Sequence, residues 1–264
     1  MRSPLRYPGG KTRARSIIVP KIQRQRATRL ISPFIGGASI ELAWLKANPA
    51  GVCDAFDLYS PLADFWRHTL SNPQGVATLA DMHMPLDKKM FKSIQAKIKS
   101  RELSGIEMAA AFFVINRASF SGATNSGGMS TNHPRFNTGS VDRLRDFRAP
   151  GLSVAHACAF DVLSGLDGYD LRSSVIYLDP PYALDSSTLY GDSGSTHEGF
   201  NHAELAKKLS ALSDQGWRFL LSYNECETIR RLYNGFRIEG AAWSYGMRLG
   251  ASSEVLIYSE GWAA

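Results

Sequence analysis

Four residues at the end of an apolar run, Asp179-Pro180-Pro181-Tyr182, carry the most specific chemical signal in the sequence. The run before them, residues 175–178, predicts a short buried strand. The four residues are therefore expected at the carboxyl edge of a sheet, where open α/β sheets bind ligands. Two successive prolines lack N–H donors and have a fixed φ, so the segment is a stiff loop. It presents two acceptors, the Asp179 carboxylate and the Pro180 carbonyl.

Two such acceptors suit a difficult nucleophile, the exocyclic amine of an aromatic base. Its lone pair is delocalised into the ring, so it attacks well only when both N–H groups are held and the lone pair faces a methyl donor. Tyr182 offers an aromatic face to a base that must leave its duplex to reach this site. The alternative is a proline-stiffened strand end with a solvent-facing Asp179, and two further motifs weigh against it.

The second motif is a glycine turn within residues 32–39, Ser-Pro-Phe-Ile-Gly-Gly-Ala-Ser. Glycines between a strand and a helix let a ligand approach the backbone closely. Asp57 follows about twenty residues later at the end of the next predicted strand, where it can accept hydrogen bonds from ribose hydroxyls. A glycine turn alone is a weak signal. The G-x-G-x-x-G pattern of nicotinamide dinucleotide sites is absent, which favours a nucleoside without a pyrophosphate.

The third motif lies near the N-terminus, in residues 6–11, Arg-Tyr-Pro-Gly-Gly-Lys. Lys11 follows a Pro-Gly-Gly turn and could pair with a small carboxylate, with Tyr7 and Pro8 as apolar walls. The other interpretation of these residues is a plain loop in a basic arm.

Around these motifs the chain alternates between strand and helix patterns, which predicts an α/β fold with parallel strands. Residues 29–37 predict a strand that runs into the glycine turn, residues 38–47 a helix and residues 51–58 the next strand. Later strands are predicted at residues 152–157, 174–178, 217–223, 236–242 and 254–259, with helices at 201–214 and 225–233.

The middle of the chain has a different pattern, with helices predicted at 87–100, 106–116 and 141–147 and a long polar loop at 117–140. Loops of that length in a compact domain are usually functional. We expect a catalytic domain made of residues 1–60 and 149–264, and an inserted, mostly helical domain at 61–148. Residues 183–200 follow the Asp-Pro-Pro-Tyr segment, here called the catalytic strip, and fit either a lid or an ordinary surface loop.

The charge distribution favours a nucleic-acid partner. The net charge is +6, and residues 1–40 contain nine Lys and Arg but no Asp or Glu. Such a block usually meets phosphates, although a merely solvated face is the alternative. We expect double-stranded DNA as the partner. The candidate contacts are Arg24 and Arg26 in this block and Arg117, Ser121, Asn125, Ser126 and Arg135 in the long loop.

Several classes of protein are disfavoured by composition. No apolar run is long enough to span a bilayer and no signal peptide is evident, so we expect no membrane partner and a cytoplasmic location, at the nucleoid or in a phage's host. Three scattered cysteines predict reduced thiols. The histidines show no metal-ligand spacing, so no metal site is expected. We expect a monomer or weak dimer.

These motifs, in this order, resemble the Dam-type (D12 class) family of DNA adenine methyltransferases over nearly the whole chain, with the character of a phage member. The matching segments are residues 7–11, 33–37, 57–58, 116–122, 160–162 and 179–182. The resemblance implies a seven-stranded, Rossmann-like methyltransferase sheet with its last strand antiparallel, and a helical target-recognition domain. It implies S-adenosyl-L-methionine as cofactor.

The resemblance also implies a role for each matching residue. Tyr7, Pro8 and Lys11 would contact the methionine end of the cofactor. The turn would be lined by Phe34, Gly36, Gly37 and Ala38, the ribose held by Asp57 with Leu58, and the adenine ring contacted by Asp161 and Val162. Asp179 would border both the cofactor and the target base.

The sequence departs from the family pattern in the glycine turn and in the recognition stretch, and the second departure leaves the target sequence open. Ala38 stands where the family's turn usually has a glycine, and residues 121–130 lack the Arg- and Asn-bearing continuation of GATC-specific members. We expect a short or relaxed recognition sequence. An RNA adenine or DNA cytosine-N4 methyltransferase and an inactive nucleic-acid-binding relative remain alternatives. A cytosine-C5 enzyme is disfavoured because no Pro-Cys pair exists, and an NAD-dependent enzyme is the weakest rival.

Overall fold

The sheet determines where the motifs meet. The structure, a computed structural model, describes residues 1–7, 9–124, 127–129, 135–183, 199–243 and 252–263. Within these residues seven strands form one sheet in the order β3-β2-β1-β4-β5-β7-β6. The strands are β1 Arg29–Ser32, β2 Val52–Asp57, β3 Leu152–His156, β4 Ser174–Leu178, β5 Phe219–Asn224, β6 Arg237–Trp243 and β7 Ser252–Tyr258.

The first five strands are parallel, and β7 runs antiparallel between β5 and β6. This confirms the predicted seven-stranded sheet with an antiparallel last strand. Every residue of β4 is buried, as expected for a strand covered on both faces. Because parallel strands end at one edge, Asp57, Asp179 and Asn224 share the carboxyl edge of the sheet. Glu254 lies opposite Asn224 in the β5–β7 register and so belongs to the same edge.

Helices cover both faces of the sheet. They are α1 Arg15–Arg24, α2 Ser39–Ala47, α3 Ser60–Ser71, α4 Pro73–Asp81, α5 Lys88–Lys99, α6 Gly105–Ala118, α7 Thr138–Arg145, α8 Ala159–Ser164, α9 His202–Asp214 and α10 Glu227–Leu232. Side chains alternate along β4: Val175 and Tyr177 join the core shared with α1 to α7, and Ile176 and Leu178 join the core shared with α8 to α10.

The middle of the chain is helical, as predicted, and is built around α6. The α6 side chains from Met108 to Asn116 are all buried, which is the pattern of a helix packed on all sides. Helix α3 packs against both α6 and β3, and its Trp66 Nε1 donates to the Gly36 carbonyl at 2.9 Å. It thus joins the helical segment to the sheet, and the domain division at residues 60 and 61 stays a prediction.

In the part of the chain that the structure describes, no helix has both the length and the apolar character needed to cross a membrane.

Candidate active site

Asp179 is the first residue after β4, at the carboxyl edge of the sheet. Its Oδ1 atom accepts two hydrogen bonds, from Lys11 Nζ at 2.6 Å and from Ser222 Oγ at 3.0 Å. Ser222 comes from the neighbouring strand β5, and its hydroxyl also lies 3.1 Å from that of Tyr177. The carboxylate is therefore fixed in direction by groups from two chain segments, while 22% of its side chain stays exposed toward the cleft.

Lys11 connects the N-terminal arm to the catalytic strip. It is 3% exposed, and besides Asp179 it donates to the Tyr182 hydroxyl at 2.7 Å. Tyr182 in turn donates to Glu254 Oε1 at 2.5 Å. Hydrogen bonds between charged groups of this kind are short and strong. One ammonium group between two carboxylates gives a dense polar network around the tyrosine.

The glycine turn is covered by Tyr7. A Cβ atom built on Gly37 would lie 2.6 Å from Tyr7 Cβ, and one on Gly36 would lie 2.9 Å from Tyr7 Cε1. Gly36 also has φ +46°, in the left-handed region. Both positions therefore require glycine, one for contact alone and one also for backbone conformation. This places the arm residue Tyr7 directly on the predicted cofactor turn.

Asp57 closes the turn from the side of β2. Its carboxylate accepts from the Gly36 N–H at 3.1 Å and from the Tyr59 N–H at 2.9 Å. Burial raises the pKa of Asp57 to about 6, against these two hydrogen bonds, which lower it. The side chain lines the cleft, where a ribose hydroxyl could donate to it.

An aromatic wall completes the cleft. The Phe200 ring lies 5.8 Å from Phe34, edge-on, and 5.7 Å from Phe160, stacked. All three side chains line the cleft. A planar apolar wall of this kind fits the adenine ring of a nucleoside. Sequence reasoning identified Phe34 but assigned no role to Phe160 or Phe200, although Phe160 adjoins the matched pair Asp161-Val162.

Glu41, in the first turn of α2, also lines the cleft and was not predicted as a site residue. It is 2% exposed and accepts from Ser32 Oγ at 2.6 Å. Burial raises its pKa to about 7; the nearby Asp179 carboxylate also raises it, and the Ser32 hydrogen bond opposes both.

Most of the predicted cofactor and catalytic residues come together in this cleft. Its lining includes Tyr7, Lys11, Phe34, Gly36, Gly37, Asp57, Leu58, Asp179, Pro180 and Pro181. Ala38 is buried behind the turn, and Asp161 and Val162 lie on α8 beyond Phe160, outside the lining that the structure describes. Pro8 and residues 184–198 of the suggested lid lie outside the described residues.

Two of the predicted DNA contacts lie near the arm, at the end of α6. Arg117 Nε donates to the Arg135 carbonyl at 3.0 Å. Burial, together with the nearby guanidinium groups of Arg143, Arg6 and Arg135, lowers the pKa of Arg117 to about 10. In the described ranges, no ion pair includes Arg6, Arg117 or Arg143. Phe120, in a short 3₁₀ helix after α6, is 62% exposed.

Arg24 and Arg26 lie elsewhere. They flank Gln25, whose carbonyl accepts from Arg218 just before β5, and Thr28 N–H binds Ser173 just before β4. These contacts place both arginines at the amino edge of the sheet, opposite Asp179. Their contact with DNA stays a prediction, and it would require DNA to reach this edge of the sheet. Asn125 and Ser126, and the side chain of Ser121, lie outside what the structure describes.

The strand order, the glycine turn with Asp57 beside it and the strip after β4 are those of a Rossmann-like methyltransferase fold. A family model for D12 class N6 adenine-specific DNA methyltransferases matches residues 7–247, and the chain belongs to this family. Its cofactor is S-adenosyl-L-methionine, and its substrate is DNA. No curated protein matches the chain.

Two solved structures are remotely similar. One is precorrin-6y C5,15-methyltransferase from Geobacter metallireducens, with 12% identity over 93% of this chain and 86% of that chain and a TM-score of 0.39. The other is precorrin-8w decarboxylase from Methanobacterium thermoautotrophicum, with 11% identity over 98% and 95% and a TM-score of 0.38. At these scores neither likeness bears on the activity.

Proposed function

We propose that this DNA adenine methyltransferase flips its target base out of the duplex and holds the amine against Asp179 and the Pro180 carbonyl. The observation that carries this proposal is the anchoring of Asp179 Oδ1 by Lys11 and Ser222 at the end of β4. With Oδ1 held by these two donors, the other carboxylate oxygen, Oδ2, is oriented to accept a hydrogen bond from the target amine. In the part of the chain that the structure describes, no hydrogen bond reaches Oδ2.

The residues around the cleft fit S-adenosyl-L-methionine, which supplies an electrophilic methyl group when bound. We assign the ribose to Asp57 with Leu58 beside it, and the adenine ring to the Phe34 side of the cleft near Asp161 and Val162. Tyr7 and Lys11, with Pro8, would hold the methionine end, and Gly36 and Gly37 would line the turn before Ala38. The close packing of Tyr7 on the two glycines supports this, since it leaves the turn's backbone as one wall of the cleft.

The chain's own contribution to the reaction is orientation and electrostatics. Asp179 and the Pro180 carbonyl hold the two N–H groups, so the nitrogen lone pair points toward the methyl carbon. Bound S-adenosyl-L-methionine would supply the methyl group and leave as the thioether, and Asp179 is placed to accept the proton that the amine releases. Pro181 keeps the strip extended, and Tyr182 offers its ring to the flipped base.

We assign DNA contact to the inserted segment, residues 61–148. Arg117 lies near the guanidinium groups of Arg6, Arg135 and Arg143, and clustered guanidinium groups fit the phosphates of a duplex. Ser121, Asn125 and Ser126 would lie in the same interface. Phe120 is an exposed aromatic ring at its border and could occupy the space that a flipped base leaves. Action as a monomer or weak dimer, a relaxed target and a phage origin remain predictions.

Expression in a host without adenine methylation, followed by mapping of methylated adenines on the plasmid, tests the activity directly. Asp179→Ala should lose nearly all methyl transfer and still bind cofactor and DNA, because the loss of a charged acceptor costs a few kcal/mol in the transition state. Asp214→Ala, an exposed carboxylate at the end of α9, is the matched control. Retention of more than about a tenth of the rate by Asp179→Ala would contradict the assigned role.

A further inference from the structure

Three carboxamide side chains each bind both main-chain groups of one distant residue. Asn116 accepts from the Arg6 N–H at 2.9 Å and donates to the Arg6 carbonyl at 2.7 Å. Asn224 does the same with Ala183, at 3.1 and 3.2 Å. Gln25 does so with Ala263, at 3.2 and 3.1 Å. A carboxamide has one acceptor oxygen and an NH₂ donor, so it can pair with the chain as a neighbouring strand would.

Asn116 holds the N-terminal arm. It is fully buried at the end of α6 and also donates to the Gly122 carbonyl at 3.2 Å. A Cβ on Gly122, where φ is +78°, would lie 2.1 Å from the Arg6 carbonyl oxygen, so only glycine fits beside this contact. The next arm residue, Tyr7, covers the cofactor turn, and Lys11 follows four positions later. This pair of hydrogen bonds to one residue's main chain, here called a clamp, thus fixes the N-terminal arm just before Tyr7 and Lys11.

Asn224 holds the other side of the site. It is the last residue of β5, and Ala183 directly follows Tyr182. Proline stiffness fixes the strip only through Pro181, so the clamp on Ala183 fixes the end at which Tyr182 sits. Asn224 does not serve as the N-cap of α10, because that position belongs to Cys226.

The two clamped segments meet in the active site, where Lys11 Nζ lies 2.6 Å from Asp179 Oδ1 and 2.7 Å from the Tyr182 hydroxyl. We propose that Asn116 and Asn224 are positioning residues, which hold the arm and the strip so that Lys11, Asp179 and Tyr182 keep this geometry. Through its bonds to Arg6, Asn116 also connects the N-terminal arm to the inserted segment, residues 61–148, here called the recognition segment. The inference rests on the proposed roles of Lys11 and Asp179.

Gln25 provides the matched control. Its clamp has the same donors and acceptors and is buried like that of Asn116, but it binds Ala263 at the amino edge, away from the cleft. Gln25→Ala therefore removes an equivalent structural contact and leaves the active-site segments alone.

The test compares Asn116→Ala, Asn224→Ala and Gln25→Ala in the full-length protein, below the melting temperature of every variant. Methyl transfer to plasmid DNA gives kcat and KM, and calorimetry with S-adenosylhomocysteine gives cofactor affinity. We expect Asn224→Ala to lower kcat by about tenfold or more with cofactor affinity nearly unchanged, because small displacements of reacting groups are costly. Asn116→Ala should weaken cofactor binding by about tenfold, since it releases the arm. Gln25→Ala should change neither by more than about twofold.

Asn224→Asp adds a conservative variant, which keeps the acceptor for the Ala183 N–H and should recover part of kcat. If Asn116→Ala does not fold, Asn116→Ser takes its place. The comparison of Asn224→Ala with Asn224→Asp tests the proposal in either case. Wild-type kcat in Asn224→Ala, or an equal loss in Gln25→Ala, would overturn the proposal. Asp179→Ala in the same assay separates the two claims. Full activity of Asp179→Ala would refute the proposed site, whereas an inactive Asp179→Ala beside fully active clamp variants would refute the positioning role alone.

Discussion

Asp179 and Asp57 are carboxylates at the same sheet edge, yet their surroundings prepare them for different tasks. Asp179 binds an ammonium group and a hydroxyl, and its side chain opens to the cleft. Asp57 has only main-chain N–H donors and a buried setting, which raises its pKa to about 6. A carboxyl group in that state titrates within the range of ordinary assays, so its role can be tested by pH.

Cofactor affinity should fall as the pH falls through about 6, because protonated Asp57 no longer accepts well from both ribose hydroxyls. The slope should approach about tenfold per pH unit below that value. Calorimetry with S-adenosylhomocysteine from pH 5 to 8 measures it. Asp57→Asn should bind weakly and without this dependence. A slope that persists in Asp57→Asn would assign it to another group, of which Glu41, with a pKa of about 7, is the nearest candidate.

The same shift has the opposite consequence for stability. The folded-state pKa of Asp57 lies above the ordinary value of 3.8, so the folded protein binds this proton more tightly than the unfolded chain does. The resulting stabilisation is complete below about pH 4 and is lost as the pH rises through about 6. Burial of Asp57 at the turn therefore lowers the stability of the free protein at neutral pH.

The predictable residues of the site are those whose types are unusual in their place. A strand followed by Asp-Pro-Pro-Tyr is rare enough to identify Asp179 from the sequence, and the glycine turn, weak alone, identifies Gly36 when it stands beside that motif. Ser222, Phe200 and Glu254 are ordinary residue types. Only the fold brings Ser222 of β5 to Asp179, Phe200 to the cleft and Glu254 of β7 to Tyr182. Asn116 was matched as part of a motif, but its contact with Arg6 spans 110 positions, which no local pattern shows.

At the scale of elements, continuous apolar runs and hydrophobic period were both good guides. Strand β4 has the predicted bounds, and α5, α6 and α9 lie within two residues of theirs. Helices α1, α3, α4 and α8 were not assigned. Helix α1 has Pro20 inside it and no acidic residue in its first turn, and α8 has only six residues. In such cases tertiary packing, not propensity, forms the helix.

The turn before α2 contains an element-level compromise. Ala38, its N-cap, has φ +53° and is fully buried. A left-handed alanine costs about 1–2 kcal/mol relative to glycine, but its buried methyl group contributes about 0.8 kcal/mol. Ala38→Gly should therefore change the free energy of unfolding by no more than about 1 kcal/mol. Ala38→Val should destabilise by about 2 kcal/mol or more, since a branched side chain suits neither the backbone nor the space.

Urea unfolding of both variants measures these effects, with Ala96→Val on the exposed face of α5 as the control for the residue change alone. Equal stability of Ala38→Val and Ala96→Val would mean that the backbone at residue 38 is not left-handed.

The C-terminal ends of α1 and α6 separate two sets of arginines, because α1 ends at the amino edge of the sheet and α6 ends beside the N-terminal arm. Arg117→Ala should weaken DNA binding by about tenfold and reduce the salt slope of the binding constant by about one, as expected for one lost phosphate contact. For DNA bound at the carboxyl edge, Arg24→Ala and Arg26→Ala should leave the affinity and its salt slope unchanged, because both arginines lie at the amino edge. Titration of labelled duplex at several salt concentrations measures them. A larger loss from the Arg24 or Arg26 variant than from Arg117→Ala would show that DNA reaches the other edge.

At the scale of the whole molecule, the basic charge determines general affinity for DNA and does not determine which sequence is recognised. The net charge of +6 and the acid-free first forty residues attract any duplex, and phosphate contacts position DNA without reading its bases. The protein's affinity should therefore be strongly salt-dependent and similar for many sequences. Discrimination between DNA sequences must come from side chains that reach base edges, and the recognition segment, residues 61–148, has few of them.

We expect methylation to follow a short, relaxed target, little more than the adenine itself. Strong readout needs rigid bidentate donors, such as Arg on guanine or Asn on adenine, in the major groove. Two of the candidates are already engaged within the protein: Arg117 Nε binds the Arg135 carbonyl, and the Asn137 side chain caps α7 by accepting from Ser140 N–H at 2.9 Å. Glycine loses more backbone entropy than other residues when a segment is ordered, so an ordered pose of the loop containing Gly127 and Gly128 on DNA carries an entropic cost.

Sequencing of methylated plasmid from a host without adenine methylation, at low and high expression, measures this directly. Relaxed recognition predicts many methylated contexts whose number grows with enzyme level, because the pocket beside Tyr182 selects adenine and the basic surface accepts any flanking bases. A chain with strong readout would instead saturate one motif, since each mismatched base pair costs about 1–3 kcal/mol. Confinement to one palindrome of about four or more bases at high enzyme would show that the recognition segment reads bases after all.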